Sequence, residues 1–104
     1  MNEIVVFITA SDEDAAMKIA RSLVEAKLAG CVNIIKNIRS VYRWEETVED
    51  EPEVLMVAKT RKALFDELMK KVKELHSYTV PEIIALPIVE GSEDYLQWLR
   101  DVTG

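Results

Sequence analysis

The sequence predicts an α+β fold: a split βαβ arrangement with an antiparallel four-stranded sheet, two long helices and a short C-terminal helix. Three observations lead there. IVVFITA at 4–10 and VLMVA at 54–58 are short, β-rich and almost unbroken in apolar character, as interior strands are. Two other segments repeat their apolar residues at three and four positions, the spacing of one buried helical face. Pro87 falls inside the last strand-like run, EIIALPIV, where its missing N–H is tolerable at an edge or a bulge. With right-handed crossovers, the order β-α-β-β-α-β puts the first and third strands at the centre and the second and fourth at the edges. That is the ferredoxin-like arrangement.

Each element has its own warrant. SDED at 11–14 reads as a helix start, with Ser11 as N-cap and Asp14 as the carboxylate of a capping box. Ala16, Ile19, Ala20, Leu23 and Val24 make its buried stripe, and Gly30 is placed to end it. From Val32 the period changes to two. Val32, Ile34, Ile38, Tyr42 and Trp44 share one alternate track of a long strand, interrupted at Lys36, and Lys36–Asn37 marks a bulge or bend. The polar stretch EETVEDEPE at 45–53 reads as the turn that follows. Thr60 is placed to cap the second helix, whose stripe is Leu64, Leu68, Val72 and Leu75. Ser92 caps a last helix carrying Tyr95, Leu96, Trp98 and Leu99.

The chain of 104 residues is one domain, 1–104. With 49% apolar and 31% charged residues it belongs with globular chains, not disordered ones. A net charge of −6 argues against nucleic acid or an anionic membrane as partner. No signal-like N-terminus and no apolar run of membrane length is present. A single cysteine forms no internal disulfide and favours a reducing compartment, so the cytoplasm is expected. The architecture leaves a difficulty. Both long helices cover one face of the sheet, yet the central strands are apolar on both faces, and the terminal helix is too short to cover the other. Another copy of the chain is the expected cover, with the hairpin 31–59 as an arm; these patterns leave dimer and trimer open.

The residues that carry chemistry are few. His76, the one histidine, ends a helix, where capping by the dipole is the plain explanation. Together with Cys31, Glu82 and a tyrosine it would make a mixed N/S/O donor set suited to copper, zinc or similar ions, although no diagnostic metal spacing occurs. Cys31 reads equally as a small buried hydrophobe. The carboxylates of EETVEDE attract cations weakly and read first as a solvated turn. Tyr42, Trp44 and Trp98 suit core or subunit anchors. Lys59 is placed to pair with an acid or meet an anion near the second helix. No serine elbow, triad, phosphate loop or dinucleotide glycine motif occurs, so binding is expected and catalysis is not.

Five blocks in order, GCVNI at 30–34, SVYRWE at 40–45, AKT at 58–60, HSYTVPEI at 76–83 and DYLQWL at 94–99, resemble the CutA1 family of divalent-cation tolerance proteins. The resemblance runs from the first strand to the last helix. It implies a ferredoxin-like homotrimer joined through long hairpins and sheet edges, and an association with copper and other divalent ions. It implies a metal-associated role for Cys31 and His76, with Tyr78 and Glu82 in the block beside the histidine. It also implies a cleft at the subunit junction, with Tyr42, Trp44, Lys59, Tyr78 and Trp98 near it. The fold further resembles the trimeric PII signalling proteins, which supplies an alternative: a regulatory trimer that takes a small anionic metabolite or nucleotide between subunits and signals to another protein. Three departures stand out. Glu46 stands where the family's hairpin has glycine, Ser77 where it has proline, and some bacterial relatives carry a cysteine near Ile8.

Overall fold

The computed structural model describes residues 2–104. Its elements are β1 (Glu3–Ala10), α1 (Glu13–Glu25), β2 (Cys31–Trp44), β3 (Thr47–Arg61), a 3-10 turn (Lys62–Leu64), α2 (Phe65–Leu75), β4 (Ile83–Pro87) and α3 (Glu93–Val102). The sheet order is β2-β3-β1-β4, every pair antiparallel. The two apolar runs are therefore the central strands. Pro87 lies on edge strand β4, opposite Ile4, as its missing donor requires.

Alternation along β1 and β3 divides the sheet. Ile4, Val6 and Ile8 of β1 and Val54, Met56 and Ala58 of β3 point to the side where Ile19 and Leu23 of α1 and Leu68 and Val72 of α2 complete the core. Val6, Ile8, Leu23, Met56, Leu68 and Val72 are fully buried. Each side chain of this size contributes about 1.5–3 kcal/mol relative to exposure, which makes this layer the main source of stability. The opposite side carries α3 at one end. There Arg61 donates to the Thr103 carbonyl at 2.6 Å and hydroxyl at 2.9 Å, and Arg100 pairs with the buried Glu3 at 3.4 Å. The rest of that face is open: Ile84 is 52% exposed and Leu86 49%.

Several local expectations are corrected. Asp12, not Ser11, caps α1, accepting from the Ala15 N–H at 2.8 Å; it stands three residues before that amide and Ser11 stands four. The helix ends at Glu25 with Lys27 at φ 60°, well before Gly30. Gly30 serves packing instead, since a Cβ there would lie 2.5 Å from Leu99 Cδ1 of α3. Thr60 is a buried strand residue whose hydroxyl donates to the Leu28 carbonyl at 2.7 Å, and it caps no helix. Ser92 is the N-cap of α3 by position, without a side-chain hydrogen bond.

The largest difference concerns the arm formed by β2 and β3. The stretch 45–53 is no broad turn: β3 begins at Thr47, and the turn is Glu45–Glu46 alone. Both residues have positive φ, 47° and 71°, as a two-residue turn matched to strand twist demands. Thr47 Oγ1 donates to the Trp44 carbonyl across it at 2.7 Å. The bulge expected at Lys36–Asn37 is present. Ile35 pairs with Leu55 and Ile38 with Glu53, so Lys36 and Asn37 together oppose Val54, and Asn37 takes φ 63°. That extra residue splits the single track read from the sequence. Val32 and Ile34 share the helix side with Ala58 and Met56, whereas Ile38, Tyr42 and Trp44 pair with Glu53, Glu49 and Thr47 on the open side.

Candidate functional site

Two polar groups lie at opposite ends of the sheet. At one end, Cys31 opens β2 beside Lys59, its cross-strand partner, with a free, partly exposed thiol. Tyr95 of α3 reaches this thiol, and its hydroxyl is pushed above the ordinary tyrosine value by burial first and by Cys31 second. The Tyr95 and Trp98 rings lie 5.4 Å apart, tilted by 43°. Lys59 donates through Nζ to the Asn33 side-chain carbonyl, and no carboxylate pairs with it among the described residues.

At the other end stands His76, at the C-terminus of α2, where the backbone turns extended at φ −82° and ψ 141°. Both ring nitrogens are engaged. Nε2 lies 2.7 Å from the Thr9 carbonyl, and Nδ1 lies 3.1 Å from the Tyr78 backbone nitrogen. A carbonyl only accepts and a backbone amide only donates, so these partners assign the Nε2–H tautomer. The Tyr78 ring packs against the imidazole at 4.6 Å, and its hydroxyl donates to Glu53 Oε2 at 2.6 Å. Burial, then the Glu53 carboxylate, pushes the Tyr78 hydroxyl far above its usual value. Tyr42 is raised likewise, by burial and then by Glu51 and Glu49.

Glu53 is the residue that sequence reasoning missed. It falls at the end of the polar stretch 45–53 that reads as a turn, yet it is a strand residue only 8% exposed. The signal was its position: it stands two residues before Leu55 and four before Val57, on the open-face track of β3. Glu82, by contrast, is an exposed residue just ahead of β4. Tyr42 and Trp44 lie on the arm, 40% and 43% exposed.

One chain does not bring the sequence-selected donors together. Cys31 lies across Lys59 from Val5, and His76 is tied to Thr9, four residues along β1 or about 13 Å away. Among the described residues no group of three or more His, Cys, Asp or Glu side chains converges on a common point suited to a metal ion.

Comparison with known proteins bears on this geometry. Residues 4–102 match the model of the family described as CutA1 divalent ion tolerance protein. A divalent-cation tolerance protein CutA of Thermus thermophilus is 51% identical over 102 residues, covering 98% of this chain and 99% of its own. The human protein CutA is 46% identical over 97 residues, and this chain spans about half, 54%, of its length. Among solved structures, the Cut A1 protein of Thermus thermophilus superposes with a TM-score of 0.96 at 51% identity, covering 98% of this chain and 99% of that one. The CutA of Archaeoglobus fulgidus, titled a periplasmic divalent cation tolerance protein, does so at 0.95 with 40% identity, over 98% and 99%. Sequence and fold agree along nearly the whole chain, and the protein belongs to the CutA1 divalent ion tolerance family.

Proposed function

We propose that this protein forms a homotrimer that binds divalent or soft transition-metal ions, copper foremost, at subunit junctions and without catalysing a reaction. The observation that carries this reading is the setting of His76. Its Nε2–H donates to a backbone carbonyl, the second hydrogen bond that typically orients a metal-ligating imidazole. Imidazole and thiolate donors suit copper, which stands highest among the divalent first-row ions. The donor chemistry of His76, Cys31 and Glu82 therefore fits such an ion, while completion of the set requires a neighbouring subunit. The open, apolar end of the sheet supplies the reason for assembly: Ile84, Leu86 and the aromatics of the arm leave surface that a second and third copy bury. A free thiol suits a reducing compartment, and we place the protein in the cytoplasm.

A second reading rests on Lys59. A lysine ammonium held by a neutral amide, with no paired carboxylate among the described residues, favours a small anionic metabolite or nucleotide between subunits, as in a trimeric regulatory protein that signals to another protein. One experiment separates the two. Sedimentation equilibrium establishes the assembly, and calorimetric titration with Cu(II), Zn(II) and a nucleotide panel is then made on the wild type, C31A and H76A. Saturable copper binding that is lost in either variant supports the metal site. Unchanged copper affinity in both removes these ligands, and tight nucleotide binding beside weak metal binding favours the second reading.

A further inference from the structure

We propose that the Tyr78 backbone amide caps the His76 nitrogen that would ligate the ion, and that the Tyr78–Glu53 hydrogen bond is the latch holding this cap in place. The inference rests on the metal-binding reading above. The Thr9 carbonyl occupies Nε2, so the nitrogen left for an ion is Nδ1. That nitrogen is occupied as well, by the Tyr78 N–H at 3.1 Å. An ion can bind only as this amide withdraws, while Nε2–H keeps its carbonyl.

What resists the withdrawal is local. Residues 77–82 belong to neither helix nor strand, and among the described residues no backbone–backbone hydrogen bond ties them to the rest of the chain. Tyr78 is held by its own side chain: the ring against His76 and the hydroxyl on the Glu53 carboxylate at 2.6 Å. Glu53 cannot follow it, since it is buried in β3 opposite Ile38. The capped arrangement is therefore the resting state, and the apparent affinity for an ion is lowered by the small fraction of chains uncapped. A hydroxyl–carboxylate bond is charge-assisted, and losing one shifts such a population by about tenfold or more. On this account Glu53 and Tyr78 hold the site closed. Removing their bond strengthens metal binding, whereas removing a ligand would weaken it.

The test uses the whole chain and Zn(II), which is diamagnetic, with calorimetry on the wild type, Tyr78→Phe, Glu53→Gln and His76→Ala. Nitrogen-15 spectra of the one histidine identify the metallated nitrogen. The expected result is zinc affinity about tenfold higher in Tyr78→Phe, a smaller gain in the same direction in Glu53→Gln, and metallation at Nδ1 with Nε2 still protonated. Should one variant fail to fold, the other carries the affinity test. Affinity unchanged or lowered in the folded variants, or metallation at Nε2, overturns the latch. If zinc binding is lost in His76→Ala but unaltered by the latch variants, the metal reading stands and the latch falls. If His76→Ala binds as the wild type does, both fall.

Discussion

Replacing Gly30 by alanine is the sharpest probe of how α3 is seated. Gly30 donates its N–H to the Lys59 carbonyl at 2.9 Å, so its backbone is fixed in the sheet and cannot back away. A new Cβ would stand 2.5 Å from Leu99 Cδ1 and 3.1 Å from Val102 Cγ2. Leu99 is fully buried, so its tip must shift against packed neighbours to admit the methyl. Overpacking of this kind costs about 1–3 kcal/mol. Alanine restricts the unfolded chain more than glycine does and returns about 0.4–1 kcal/mol, leaving a net loss of about 1.3 kcal/mol at mid-range and at most about 2.6 kcal/mol. For a domain near this size each kcal/mol lowers Tm by about 4–8 °C. Thermal and urea unfolding at matched protein concentration measure the loss, and the urea m-value should hold while the midpoint falls. A Trp44→Phe background leaves Trp98 as the fluorophore; its edge would lie 3.6 Å from the added methyl, so its emission should change as well. An unchanged or raised midpoint would refute the idea that Leu99 and Val102 clamp this position.

Two further outcomes follow from the arm and the tyrosines. Glu46 sits at φ 71°, so Glu46→Gly relieves left-handed strain of about 1 kcal/mol, partly offset by glycine's unfolded-state entropy; stability should rise by under about 1 kcal/mol, and a fall in the urea midpoint would contradict the turn geometry. Tyr42, Tyr78 and Tyr95 all have hydroxyls raised above 10.0, by burial first and by neighbouring carboxylates or thiol second. A folded value above the unfolded one means stability fully present below pH 10 and lost as pH rises through the folded values. Ultraviolet titration of the folded protein should accordingly lag that of the denatured chain, with the lag shortened in Tyr78→Phe. Superposable curves would remove this source of alkaline sensitivity.

The strand order was legible because two runs were apolar on both faces and Pro87 excluded its own strand from the centre. The bulge was legible too, since Lys36 interrupts the period. Its effect was not: a period-two pattern cannot tell whether the track resumes on the same side, and Ile38, Tyr42 and Trp44 resume on the other. Glu53 and Thr60 were misassigned for a shared reason. Acidic and hydroxyl residues favour turns and caps locally, but here β3 runs through both positions, and each side chain finds its partner far away in sequence, Tyr78 for one and the Leu28 carbonyl for the other. At the candidate site, His76 and Tyr78 were selected as residue types in one short block. What escaped was their hydrogen bonding, because Thr9 and Glu53 arrive from strands that no linear spacing connects to them.

The extra residue in β2 also constrains how this arm can change in length. Deleting Asn37 alone would restore an unbroken ladder, with Lys36 opposite Val54 and every later residue of β2 keeping its present partner. Tyr42 and Trp44 would then stay opposite Glu49 and Thr47, on the side where Tyr78 meets Glu53. Removing Lys36 and Asn37 together would instead bring Ile38 opposite Val54, and Arg43 and Val41 would take the sides now held by Trp44 and Tyr42. Loss of the one extra residue at this joint therefore leaves both molecular surfaces in place, and loss of the pair exchanges one for the other.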